Sequence, residues 1–211
     1  EVLEVVLSLR PDNTKSYNFP TTVVGCGGDG SIERIPGEAA YRCVSLDSDQ
    51  LRRQRLYYFV SKGALNIDGV GPRIIDQLLD EGLISSAVDL FTLTTDQLEP
   101  LESFKETAAR NVVEAIRVAS KVELHRLIIA LSIDGVGEET ARLLADTFGS
   151  LEALLSAEQA TIAGIYGIGD TVGESVTTWF EQPKNKDYLA ALTPHLTVIN
   201  PATINQSNKL N

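Results

Sequence analysis

Four short segments of one pattern constrain this chain more than any other feature. They are Ile67 to Gly71 (IDGVG), Leu101 to Lys105 (LESFK), Ile133 to Gly137 (IDGVG) and Ile165 to Gly169 (IYGIG). They recur every ~32–34 residues, a period typical of stacked helical units. The register holds beyond them. At one equivalent place downstream of each segment stand Ile75, Ala109, Ala141 and Gly173. Apolar residues follow at helical spacing: Leu78 and Leu79, Val112 and Val113, Leu143 and Leu144, and Val176. Each unit therefore reads as helix, tight hairpin, helix, with a small residue at three of the four places to let the two helices pack closely. The predicted fold class is mainly α: a tandem helix-hairpin-helix array over 49–192, preceded by a small β/loop module.

The hairpin glycines suggest a chemistry. The first permits a turn with positive φ, and both permit another molecule to approach the backbone. The central apolar residue (Val70, Phe104, Val136 or Ile168) is expected between the helices. The helix that follows then presents outward N–H groups, an anion site suited to a phosphate oxygen. Pro72 fits the first position of such a helix. Such contacts position a duplex without reading its sequence. The candidate DNA-binding residues are Gly69, Val70, Gly71 and Arg73 in hairpin 1 and Lys105 in hairpin 2. In hairpin 3 they are Gly135, Gly137 and Thr140, and in hairpin 4 Gly167, Gly169 and Thr171. Hairpin 1 ranks first, because Arg73 follows it. Hairpin 2 ranks last, because it lacks both glycines. Glu138, Glu139 and Asp170 can either cap the helices that follow hairpins 3 and 4 or repel a phosphate there. The competing reading is an all-α packing scaffold that binds protein partners.

Charge bears on that choice. The formal net charge is −11, against a generic basic nucleic-acid binder, but a backbone grip needs less side-chain charge. Seven of the 18 basic residues fall between Arg34 and Arg73. Arg52, Arg53 and Arg55 form a second candidate phosphate surface, weighed equally against a solvated helix face. No run of ~18 apolar residues is present, so no transmembrane helix and no membrane partner are expected. No signal-peptide pattern opens the chain, and two cysteines make no disulfide framework, so a cytoplasmic setting is expected. The absence of Met and the start at Glu1 suggest a piece of something longer.

At its N-terminal end the chain resembles a known family. The elements PTTVVGCG (20–27), GEAAYRC (37–43) and DQLRRQRLYYFVSKGALNIDGVG (49–71) are similar to the bacterial NAD-dependent DNA ligases, in that family's order and over nearly the whole chain. The resemblance implies the end of an oligonucleotide-binding domain and a linker (1–20), a zinc-finger region (21–48), the four-unit helix-hairpin-helix domain (49–192), and a linker toward a BRCT domain (193–211). It implies binding to nicked duplex DNA in support of nick sealing in replication and repair, with the adenylation, oligonucleotide-binding and BRCT domains of the ligase chain as partners. A stand-alone helix-hairpin-helix repair protein is the alternative. The zinc pattern departs from the family's. Val23 stands in place of the first cysteine and Ser48 about in place of the fourth, leaving Cys26 and Cys43. Two ligands are too few for a closed zinc site. The expected state is a metal-free remnant in which the two cysteines remain neighbours, able to pair in an oxidised sample. The family's nucleophilic lysine lies in K-x-D-G, and none of Lys15, Lys62, Lys105, Lys121, Lys184, Lys186 or Lys209 is followed by it. No cofactor is expected in this chain, which should not ligate alone. NAD and Mg²⁺ belong to the parent enzyme by resemblance.

Overall fold

A computed structural model describes residues 10–11, 13–34, 39–45, 48–102 and 104–201. Readings made for residues 1–9, Ser103 and 202–211 lie outside the described residues. The chain divides into two compact units, Glu1–Leu51 and Arg52–Asn211.

In the first unit, β1 (Ile32–Arg34) pairs antiparallel with β2 (Tyr41–Cys43), with Ile32 opposite Cys43. Thr22 and Ser31 form an isolated antiparallel bridge, and the other described residues before Asp49 are turns, bends and irregular backbone. Gly27 is needed at its turn: its φ is +70°, and a Cβ there would lie 3.0 Å from Ser48 Cα. Residues 13–20 contain no strand.

The second unit is helical. Helices α1 (Asp49–Val60) and α2 (Pro72–Asp80) flank hairpin 1. A short connector, α3 (Ala87–Leu90), leads to α4 (Thr95–Leu98) and α5 (Glu106–Ala119), which flank hairpin 2. The same order then repeats. Helices α6 (Leu124–Ala130) and α7 (Glu138–Phe148) flank hairpin 3, α8 (Leu151–Leu155) connects, and α9 (Gln159–Ala163) and α10 (Asp170–Glu181) flank hairpin 4. Helix α11 (Pro183–Leu192) closes the array. The working unit is thus a pair of hairpins joined by one connector helix. Both connectors begin at a serine. Ser86 and Asp89 form a capping box on α3, and the Ser150 hydroxyl accepts a hydrogen bond from Ala153 N on α8.

Two strands escape the helical reading of the sequence. β3 (Lys121–Glu123) lies between α5 and α6, and β4 (Thr197–Ile199) pairs with it in parallel, Val122 beside Val198. The reading of 193–211 as linker is therefore corrected. Residues to Ile199 belong to the helical unit, with Leu196 and Val198 packed on its core. Three residues of strand are too few to show a period-two pattern.

One apolar core runs through both pairs. Val70, Phe104, Val136 and Ile168 are all buried in it, at 5–7% exposure. Burying such a side chain is worth about 1.5–3 kcal/mol. Their neighbours in the following helices, Ile75, Ala109 and Ala141, have no exposed surface. At the fourth place a Cβ on Gly173 would sit 3.1 Å from Ala163 Cβ and 3.3 Å from Gln159 O. The α9–α10 contact is therefore closed to any larger side chain. Replacing Gly173→Leu is expected to cost about 1–3 kcal/mol by overpacking and to lower the melting temperature by several degrees in a thermal melt.

Candidate nucleic-acid interface

The four hairpins share one backbone geometry. In each, the N–H of the central apolar residue donates to the carbonyl three residues back: Val70 to Ile67, Phe104 to Leu101, Val136 to Ile133 and Ile168 to Ile165, at 2.9–3.2 Å. The next residue is the N-cap of the following helix, in extended conformation: Gly71, Lys105, Gly137 and Gly169. No side chain caps any of these four helices. Their first-turn N–H groups are left to solvent or to a ligand. Each helix has nine or more residues, so its N-terminus carries the full partial positive charge of a helix dipole.

The two glycines of hairpins 1, 3 and 4 have different reasons to be there. Gly69, Gly135 and Gly167 sit at φ +74°, +72° and +92°, a left-handed conformation that disfavours side chains. Gly71, Gly137 and Gly169 do not. Their φ values are −111°, −92° and −98°, which any residue adopts. A Cβ on any of them would meet nothing within 4 Å. Neither backbone nor packing requires glycine at these three places. What glycine provides there is an open approach to the helix N-terminus from outside.

Lys105 replaces that glycine in hairpin 2 and is exposed. Hairpin 2 thus keeps the turn and the N-cap but puts a cationic side chain at the opening. Arg73 is exposed one residue into α2. Thr140 is half-buried in the first turn of α7, and Thr171 is exposed in that of α10.

The acidic residues behave otherwise than the sequence suggested. Glu138 does not cap α7. Its carboxylate accepts from Arg142, one turn on, at 2.9 Å, and that guanidinium holds its carboxyl below the usual range. Glu106 pairs in the same way with Arg110 at the start of α5. Asp170 makes no cap on α10. Partial burial holds His125 of α6 below its ordinary value, helped by Arg142 and opposed by Glu123. It is therefore mostly neutral near pH 7.

The three arginines of α1 do not form one phosphate surface. Arg52 and Arg55 are exposed. Arg53 is turned onto α2, donating to Asp76 at 2.7 Å and to Asp80 at 2.6 Å with its side chain 22% exposed. The Tyr57 hydroxyl donates to the same Asp76, which raises its own pKa. Arg53 thus fastens the two helices of hairpin 1. Sequence reasoning missed a second structural arginine, Arg126. It donates to Ala64 O and Lys62 O, each at 2.7 Å, tying the second pair of hairpins to the first. A contact 62–64 residues away leaves no local signal.

Comparison with known proteins agrees with this pairwise architecture. Residues 62–117 match a family model described as a SAM-like helix-hairpin-helix tandem, and residues 126–189 match one described as a helix-hairpin-helix motif. Each match covers one pair of hairpins. Along nearly its whole length the chain is homologous to a stretch of DNA ligases. The DNA ligase of Latilactobacillus sakei is 38% identical over 192 residues, covering 91% of this chain and 28% of the relative. That of Symbiobacterium thermophilum is 40% identical over 91% of this chain and 28% of the relative. That of Desulforapulum autotrophicum is 34% identical over all of this chain and 30% of the relative. The chain spans about three-tenths of the length of these ligases. Among the described residues no helix is long and apolar enough to cross a membrane.

Two substitutions test the division of labour. Gly69→Ala should destabilise by roughly 1 kcal/mol, the cost of a side chain at positive φ, whereas Gly71→Ala should stay within about 0.5 kcal/mol of the parent. Equilibrium denaturation of the two variants measures the contrast. Arg53→Met should cost about 1–2 kcal/mol, through loss of charge-assisted hydrogen bonds in a partly exposed setting, in the same assay.

Proposed function

We infer that this chain is the duplex-gripping segment of an NAD-dependent DNA ligase. It holds nicked DNA by its backbone while the adenylation domain seals the break. The observation that carries the reading is the trio Gly71, Gly137 and Gly169. They recur where the fold has no need of glycine, and each opens an uncapped helix N-terminus to an outside anion. Phosphate oxygens of a duplex suit those N-termini. Lys105, Arg73, Thr140 and Thr171 stand beside them as further donors. The pairing of Glu106 and Glu138 with arginines removes much of the repulsion their charges offer to a phosphate. A net charge of −11 is compatible with a grip made largely by backbone N–H groups. Chemistry on NAD, with Mg²⁺, belongs to the catalytic part of the ligase, and the setting is the cytoplasm.

Such a grip is indifferent to base sequence. It weakens with salt to the extent that cations such as Lys105 and Arg73 displace counterions. Fluorescence anisotropy with nicked duplexes of two unrelated sequences should give equal affinities at low ionic strength, falling as salt rises. The double variant Gly71→Leu/Gly137→Leu should lose about tenfold in affinity, on the order of 1.4 kcal/mol, without loss of fold. Unchanged affinity in a folded variant would instead favour a protein-binding scaffold.

A further inference from the structure

By its resemblance to the ligases, the Glu1–Leu51 unit should hold a zinc ion at the positions of Val23, Cys26, Cys43 and Ser48. The structure draws these four positions into one knot. Cys26 N donates to Val23 O at 3.2 Å. The Cα atoms of Cys26 and Cys43 are 5.2 Å apart. Gly27, beside Cys26, approaches Ser48 so closely that a Cβ would lie 3.0 Å from Ser48 Cα. The layout of a metal knuckle is therefore kept.

The donor set does not fit the metal. Val23 has no donor. Ser48 is fully buried, and its hydroxyl accepts from Leu51 N at 3.0 Å, so it serves as the cap of α1. The sulfurs of Cys26 and Cys43 are bonded to each other, so neither offers a thiolate. Closed zinc sites take four ligands, and no group of three or more His, Cys, Asp or Glu suited to a metal occurs among the described residues.

Something else must tie the module, because its described residues supply almost no core. Among the described residues of this unit only Cys26 and Ser48 are buried. So small a unit without apolar burial needs a cross-link. We propose that the knuckle is metal-free, and that under oxidising conditions the Cys26–Cys43 bond does the tying that zinc does elsewhere, while in a reducing cytoplasm the tie is open. The order of this module then depends on thiol state and not on metal. A dithiol reductant opens it by attack of one thiolate on a cysteine sulfur. Its second thiolate then closes a cyclic disulfide, and Cys26 and Cys43 leave as two thiols after protonation.

The test uses the intact chain, produced with zinc in the medium and purified without reductant. Elemental analysis should find well under about one-tenth of a zinc per chain. Thiol titration in denaturant should find no free thiol before dithiothreitol and two after it. Reduction should speed tryptic cleavage at Arg34 and Arg42 about tenfold, and added zinc should not slow it. Stoichiometric zinc, or a protected module with both thiols free, would overturn the proposal. The variant Val23→Cys/Ser48→Cys restores four sulfurs. Once reduced, it should bind one zinc per chain and regain protection. Failure to bind zinc would show that the four positions do not surround one point, and would overturn the reading as a converted knuckle.

Discussion

Each hairpin exists because one apolar side chain must be covered on both sides. Val70, Phe104, Val136 and Ile168 are buried in the common core beside the turn. That burial pulls the chain into a four-residue turn and fixes where the next helix begins. The helix start then fixes the outward direction of its first N–H groups. The candidate interface is thus a by-product of core packing. A rigid core on one side of the turn presents a preorganised row of donors on the other, which lowers the ordering cost of any partner that uses them.

Close packing and open approach place opposite demands on the glycines. Gly173 is small because the neighbouring helix stands against it from inside. Gly71, Gly137 and Gly169 are small with nothing inside against them. The same residue type therefore marks the tightest and the emptiest places in one motif, and only the coordinates tell the two apart. Charge is arranged in a similar way. Arg53, which looks available in sequence, fastens helix to helix, and Arg126 ties pair to pair, while Lys105 stays exposed at its turn.

Much of the fold was legible in the sequence, because its signals are local and repeated. The four hairpins, their buried centres and the small residue of the following helix all follow from spacing. What was missed depends on partners far along the chain. β3 and β4 are three residues each and find each other across more than seventy positions. Arg126 reaches over a similar distance, so neither leaves a periodic trace. The ranking of hairpins was read from flanking charge and from the missing glycines of hairpin 2, and it took Glu138 as a possible cap when Arg142, one turn away, already held it. At the cysteine module the sequence exposed the missing ligands but not how few of the described residues around them are buried.

The reciprocal contacts of hairpins 3 and 4 have a further consequence. A Cβ on Gly135 would lie 3.3 Å from Val172 in α10, and one on Gly167 would lie 3.3 Å from Leu143 in α7. Each turn leans on the helix that its neighbour launches. Neither hairpin is therefore a separable module, because removing one uncovers the other's turn.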